Sequence, residues 1–158
     1  MNAQLSKLYS AQQNLSGSNS LSVLNYLGVD YIKLSLADSA LFYLDRALLL
    51  AQRLNEAELQ GSIINNLGSA YKLKKDFTQA KNWLYKSWAF NRALDGDSTA
   101  VLAYTYYHLA DVYSQTGAAD STLYYLNKSE PIIQKHQLAG LQDDIKVLRQ
   151  KMDVTAKH

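Results

Sequence analysis

The chain has 158 residues, is 47% hydrophobic, carries a formal net charge of +2 and contains no cysteine. This length and apolar content suit one domain with a core of its own, and the missing cysteine excludes disulfides, thiolate catalysis and cysteine-ligated metals. Lys and Arg are interspersed with Asp and Glu, which excludes the basic stripe of a nucleic-acid binder, and no apolar run approaches the ~18 residues that a membrane-spanning helix needs.

Read from the N-terminus, Leu8, Ala11 and Gln12 stand 40 residues before Leu48, Ala51 and Gln52. Residues 1–14 therefore read either as the second helix of a unit whose first helix is missing, or as an N-terminal cap helix. Ser16-Gly17-Ser18-Asn19-Ser20 reads as the turn that follows, being rich in cap and turn residues. Leu21, Leu24, Leu27, Val29 and Tyr31 then fall at helical spacing, as do Leu41, Leu44, Ala47, Leu48 and Ala51. The next helices are expected over 57–74 and 77–94, and then over 98–116, with a stop near Gly117 and a restart at Ala119 or Asp120 with an acidic first turn. Leu138, Leu141, Ile145, Leu148 and Met152 follow a 3-4-3-4 seam along a last helix at 138–155. As a cap, that seam faces inward; as a short coiled coil, it joins two copies of the chain into a homodimer.

One phrase is written three times: Leu27-Gly28-x-x-Tyr31, Leu67-Gly68-x-x-Tyr71 and Leu109-Ala110-x-x-Tyr113, at offsets of 40 and 42 residues. A second phrase, Asp38-Ser39-Ala40-Leu41-Phe42-Tyr43-Leu44-Asp45-Arg46-Ala47, returns 82 residues later as Asp120-Ser121-Thr122-Leu123-Tyr124-Tyr125-Leu126-Asn127-Lys128-Ser129. Such self-similarity marks stacked units, each burying its apolar face on the next. The units are 21–56, 57–97 and 98–136, within a single domain spanning 1–158. Small residues belong where paired helices approach, so Gly28 is expected against Ala40 and Gly68 against Ala80.

The phrase Leu-Gly-x-x-Tyr, followed nine residues later by Ala40 or Ala80, resembles the tetratricopeptide repeat over roughly residues 21–135. The period is longer than that repeat's ~34 residues, as in the long-helix units of kinesin light chain and of bacterial regulatory arrays. The resemblance implies an all-α, right-handed superhelical solenoid of antiparallel helix pairs, about three units plus terminal helices. It also implies a concave groove lined by the first helix of each unit, where an extended protein or peptide segment would meet Asn25, Lys33, Asn65, Asn66, Ser69, Lys72, Tyr104, Tyr107, His108 and Asp111. Asn donates and accepts at once, which suits a peptide backbone, and Tyr adds apolar area with a polar tip. A solvated face without a ligand is the plain alternative for such residues. The carboxylate clamp of chaperone-binding relatives would need Lys at Asn25, Asn at Val29, Asn at Asn66, Lys at Tyr104 and Arg at His108; only Asn66 matches, which argues against the acidic tail of a chaperone as ligand.

The three histidines, His108, His136 and His158, show neither metal-ligand spacing nor a neighbouring nucleophile motif. No phosphate-binding glycine loop is present. The sequence thus reads as a non-catalytic scaffold without metal or cofactor, a regulatory or sensor module of a larger protein. Its runner-up is a structural segment that self-associates through repeat edges and the last helix. Nothing in the sequence names a compartment.

Overall fold

The computed structural model describes residues 18–156, and every regular element among them is an α-helix. In chain order these are α1 (Ser18–Lys33), α2 (Ala37–Arg53), α3 (Ala57–Leu73), α4 (Phe77–Asp95), α5 (Ala100–Gln115), α6 (Ala119–His136) and α7 (Ala139–Ala156). The expected helix 1–14 lies outside the described residues. Ser18, Asn19 and Ser20 open α1 instead of completing a turn, because Ser and Asn are tolerated in a first helical turn, where backbone N–H groups lack intrahelical partners. The chain divides into two compact units, one ending at Trp83 and one starting at Leu84.

In the first unit, α1 packs on α2, α2 on α3, and α1 also meets α3. Leu21, Leu24, Leu27 and Tyr31 of α1 close on Ala40, Leu41, Leu44, Ala47 and Ala51 of α2, with Ile63, Leu67 and Ala70 of α3 completing the cluster. The three- and four-residue spacing of these side chains is what puts them on one stripe of each helix. In the second unit, α5 packs on α6, α6 on α7, and α7 returns to α5. Its core joins Leu102, Ala103 and Ala110 to Leu126, Ile132 and Ile133, and to Leu141, Ile145 and Leu148 of α7, with Leu138 and Met152 packed alongside. The terminal seam is therefore buried within its own unit, as a cap requires.

Five of the helices, α1, α2, α3, α5 and α6, are closed by the same backbone device. The N–H of Leu36 bonds to the carbonyl of Tyr31 and that of Ser35 to Ile32, both at 2.9 Å. The pattern recurs from Glu56 to Ala51, Asp76 to Tyr71, Ala118 to Tyr113 and Leu138 to Ile133, at 2.9–3.1 Å. This six-to-one bond is the Schellman closure, and it requires a left-handed residue just before its donor. Ser35, Asn55, Lys75, Gly117 and Gln137 supply it, with φ between 54° and 81°. The donor residue then starts the next helix, since the carbonyls of Leu36, Glu56, Asp76, Ala118 and Leu138 accept the first bonds of the helices that follow. At α4, Asp76 adds its side chain, which accepts the N–H of Gln79 at 3.2 Å, an ordinary acidic cap. The tyrosine of the repeated phrase is thus the residue whose carbonyl ends the first helix of each unit.

Gly28 differs from expectation in its partner. A Cβ built there meets the Leu44 side chain, 2.5 Å from its Cγ, so the small residue makes room for leucine one turn beyond Ala40. The offset arises because a helical side chain leans toward the N-terminus, which brings Leu44 back over the site.

Two substitutions probe these features. Gly28→Ala gains about 1 kcal/mol of helix propensity, but overpacking against fully buried Leu44 costs about 1–3 kcal/mol, so net destabilisation is expected in urea unfolding. Ser35→Gly relieves the left-handed strain of an exposed residue and should raise stability by about 0.5–1 kcal/mol in the same assay.

Candidate functional site

On the first unit, the first-helix faces bring two of the expected residues together. Asn25 of α1 and Asn66 of α3 are both half-buried, and Nδ2 of Asn66 donates to Oδ1 of Asn25 at 3.1 Å. The bond leaves the second proton of the Asn66 amide and the amide protons of Asn25 as donors, so the pair can still address a carbonyl. Asn65 and Ser69 are buried, at 5% and 8% exposure, and offer little surface to a ligand. Lys33 and Lys72 stand near the C-terminal ends of α1 and α3, the first exposed and the second half-buried. Their charges favour those helix ends, where the backbone dipole is negative.

On the second unit, α5 carries Tyr104, Tyr107, His108 and Asp111. Tyr104 is exposed, while the other three are half-buried. Tyr107 packs beside the core cluster that contains Leu141, Ile145 and Leu148 of α7, and its ring lies 5.4 Å from that of His108 in a tilted arrangement. Burial pushes the Tyr107 phenol up, and the carboxylates of Asp111 and Asp144 push it further in the same direction. Asp111 accepts a hydrogen bond from Nε2 of Gln115 at 3.3 Å. With Ser114, Gln115, Val147 and Lys151 it borders an open depression of about 740 Å³ between α5 and α7. The C-terminal helix therefore shares the α5 face that carries Tyr107 and Asp111. Among the described residues, no three His, Asp or Glu side chains converge as a metal site, and no helix is long and apolar enough to cross a membrane.

Between the first and second helices of each pair lies an aromatic system that apolar spacing alone does not reveal. In the first unit Tyr31 and Tyr43 stack at 5.4 Å and 2°, with Phe42 edge-on to Tyr43 at 5.1 Å. In the second, Tyr113 and Tyr125 stack at 5.7 Å and 8°, with Tyr124 edge-on to Tyr125 at 5.0 Å. Arg46 lies 3.4 Å over Phe42, and Lys128 lies 5.5 Å over Tyr124. The 82-residue echo thus repeats a stacked pair, an edge-on ring and a cation, and the signal was present in the two aligned phrases. Offset stacks and cation–π contacts of this kind contribute about 0.5–1.5 kcal/mol each beyond simple burial.

The second unit elaborates the motif into a cleft of about 580 Å³, lined by Tyr85, Trp88 and Arg92 of α4, Asp97 and Ser98, Tyr106 of α5, and Tyr124, Tyr125, Lys128 and Pro131 of α6. Nε1 of Trp88 donates to the Tyr106 hydroxyl at 3.1 Å. The hydroxyl of Tyr85 lies 2.5 Å from that of Tyr113 and 3.4 Å from that of Tyr125. Burial raises the phenols of both Tyr85 and Tyr125 above their ordinary range.

Comparison with known proteins yields a structural likeness. The crystal structure of BtubC (BKLC) from P. vanneervenii matches with a TM-score of 0.71 at 18% identity, covering 96% of this chain and 75% of that one. At this identity the likeness concerns the fold, a tetratricopeptide-like helical repeat. No family model matches the chain, and no curated protein matches its sequence.

The three raised phenols set an alkaline limit. An unfolded tyrosine ionises near pH 10.0, whereas Tyr107, Tyr85 and Tyr125 hold their protons more tightly when folded. Their contribution is fully present below that pH and is lost as pH rises toward the folded values. Melting temperature should therefore fall steeply above about pH 10, and Tyr107→Phe should flatten the decline in a pH series of thermal melts.

Proposed function

We propose that the chain is a non-catalytic protein-binding scaffold, a regulatory or sensor module of a larger protein, that receives an extended protein or peptide segment on the first-helix faces of its repeats. The observation that carries this reading is the Asn25–Asn66 amide pair, which joins two successive first helices and keeps donors available. A peptide in extended conformation has its own carbonyls and N–H groups unsatisfied, and paired amides match that alternation. Lys33 and Lys72 would add charge at one end of this strip. Tyr104 supplies an exposed aromatic contact on the second unit, with 39% of its surface accessible. Tyr107, His108 and Asp111 would contribute beside α7. The likeness of fold to a helical-repeat protein supports the same class of role, since such folds work by presenting extended surfaces.

The test is selection of a displayed random-peptide library on the full chain, followed by affinity measurement on the double variant Asn25→Ala/Asn66→Ala. Loss of about tenfold in affinity is expected for the selected peptides. Equal affinity in a folded variant would remove the amide pair from the binding surface and the proposal with it.

A further inference from the structure

The aromatic cleft of the second unit lies among α4, α5 and α6 and shares no residue with the Asn25–Asn66 strip of the first. Its walls are already ordered by contacts of their own: Trp88 is held by its bond to Tyr106, and Tyr125 is stacked on Tyr106 at 6.1 Å as well as on Tyr113. A cavity of about 580 Å³ is within the range of small-ligand and peptide side-chain sites, roughly 300–1,000 Å³. Yet two of its rings remain open to solvent, Tyr85 at 39% and Tyr124 at 55% exposure. Exposed tyrosine faces beside a fixed tryptophan present electron-rich surfaces that need an apolar, electron-poor partner.

The polar groups at the mouth narrow the chemistry. The Tyr106 hydroxyl accepts the Trp88 proton and keeps its own proton to donate to an incoming carbonyl. Arg92 is paired with Asp97, but no carboxylate among the described residues pairs with Lys128, whose ammonium rests over Tyr124. Lys135 lies outside the lining but donates from Nζ to Oγ of the lining residue Ser98 at 2.8 Å. Two cations of the lining, Arg92 and Lys128, against the single carboxylate of Asp97 leave the rim positive, with Lys135 adding charge beside Ser98, and a complementary ligand is acidic.

We propose that this cleft binds an extended peptide segment of a partner protein in which prolines are flanked by acidic residues. A polyproline-type segment has no internal hydrogen bonds and offers every carbonyl to donors such as Tyr106, while its pyrrolidine rings pack on tyrosine and tryptophan faces. Its stiffness lowers the entropy lost on docking against a preformed wall. The acidic flanks meet Lys128 and Lys135.

Fluorescence anisotropy with the full chain and a labelled, end-blocked peptide Glu-Pro-Pro-Leu-Pro-Glu tests this directly. Saturable binding is expected. Tyr124→Ala should weaken it about tenfold, Tyr106→Phe about threefold through the lost donor, and Lys128→Glu about fivefold at low salt, with a smaller effect at high salt. Tyr124 is exposed, so unchanged helicity by circular dichroism checks that the variant is folded. Asn66→Ala should leave binding unchanged, which separates this site from the first-helix strip. Failure to saturate by about 1 mM peptide, equal binding by Tyr124→Ala and Lys128→Glu, or equal binding of the peptide with alanine in place of each proline would overturn the proposal.

Discussion

The structure depends on a turn in which one residue serves two helices. Leu36, Glu56, Asp76, Ala118 and Leu138 each donate the N–H that closes one helix and offer the carbonyl that begins the next. Because that residue is shared, the connection has almost no slack, and the following helix must fold back beside its predecessor. The left-handed residue before it sets the direction of exit. Everything that packs in either unit, from the cluster that holds Leu27 and Leu44 to the one that holds Leu126 and Leu141, presupposes that fixed return. These bonds also span only a few residues, so each helix pair forms without closing a long loop, the condition under which helical chains fold fast.

The helices themselves were legible in the sequence because their signals are local. Ala57 and Phe77 begin α3 and α4 where the pattern placed them, and the ends at Leu73 and Asp95 fall within one residue of the expected ones. The turn chemistry was less legible. A glycine announces the stop at Gly117, but Ser35, Lys75 and Gln137 adopt the same left-handed conformation with side chains attached, so residue type did not mark them. The partner of Gly28 was missed for a different reason. Which leucine leans over a glycine depends on the mutual rotation of two helices, which spacing within one helix does not contain.

The candidate site shows the same division. Membership of one helix face follows from the repeat, which puts Asn25 in register with Asn65, but the partner Asn25 finds is Asn66, one residue further on. Burial does not follow from it: Asn65 and Ser69 occupy equivalent-looking polar positions yet are nearly inaccessible, and Tyr107 packs against the cluster to which α7 contributes Leu141, Ile145 and Leu148. The aromatic cleft depends on three helices at once. Its residues carried a trace in the 82-residue echo of Phe42-Tyr43 and Arg46 in Tyr124-Tyr125 and Lys128, but a stripe of aromatics at helical spacing reads equally well as core.

Within the second unit a line of buried hydroxyls runs through the helix contacts. Ser87 and Thr105 lie 2.8 Å apart, Asn91 donates to Ser87, and Ser129 donates to the carbonyl of Ala103. Each of these side chains is at most 4% exposed, so water cannot replace a lost partner. If α5 slid by one residue along α4 or α6, two such groups would be stranded at about 1–3 kcal/mol each. The hydroxyls therefore act as detents. Each such pair favours the observed register of the helices over one shifted by a residue.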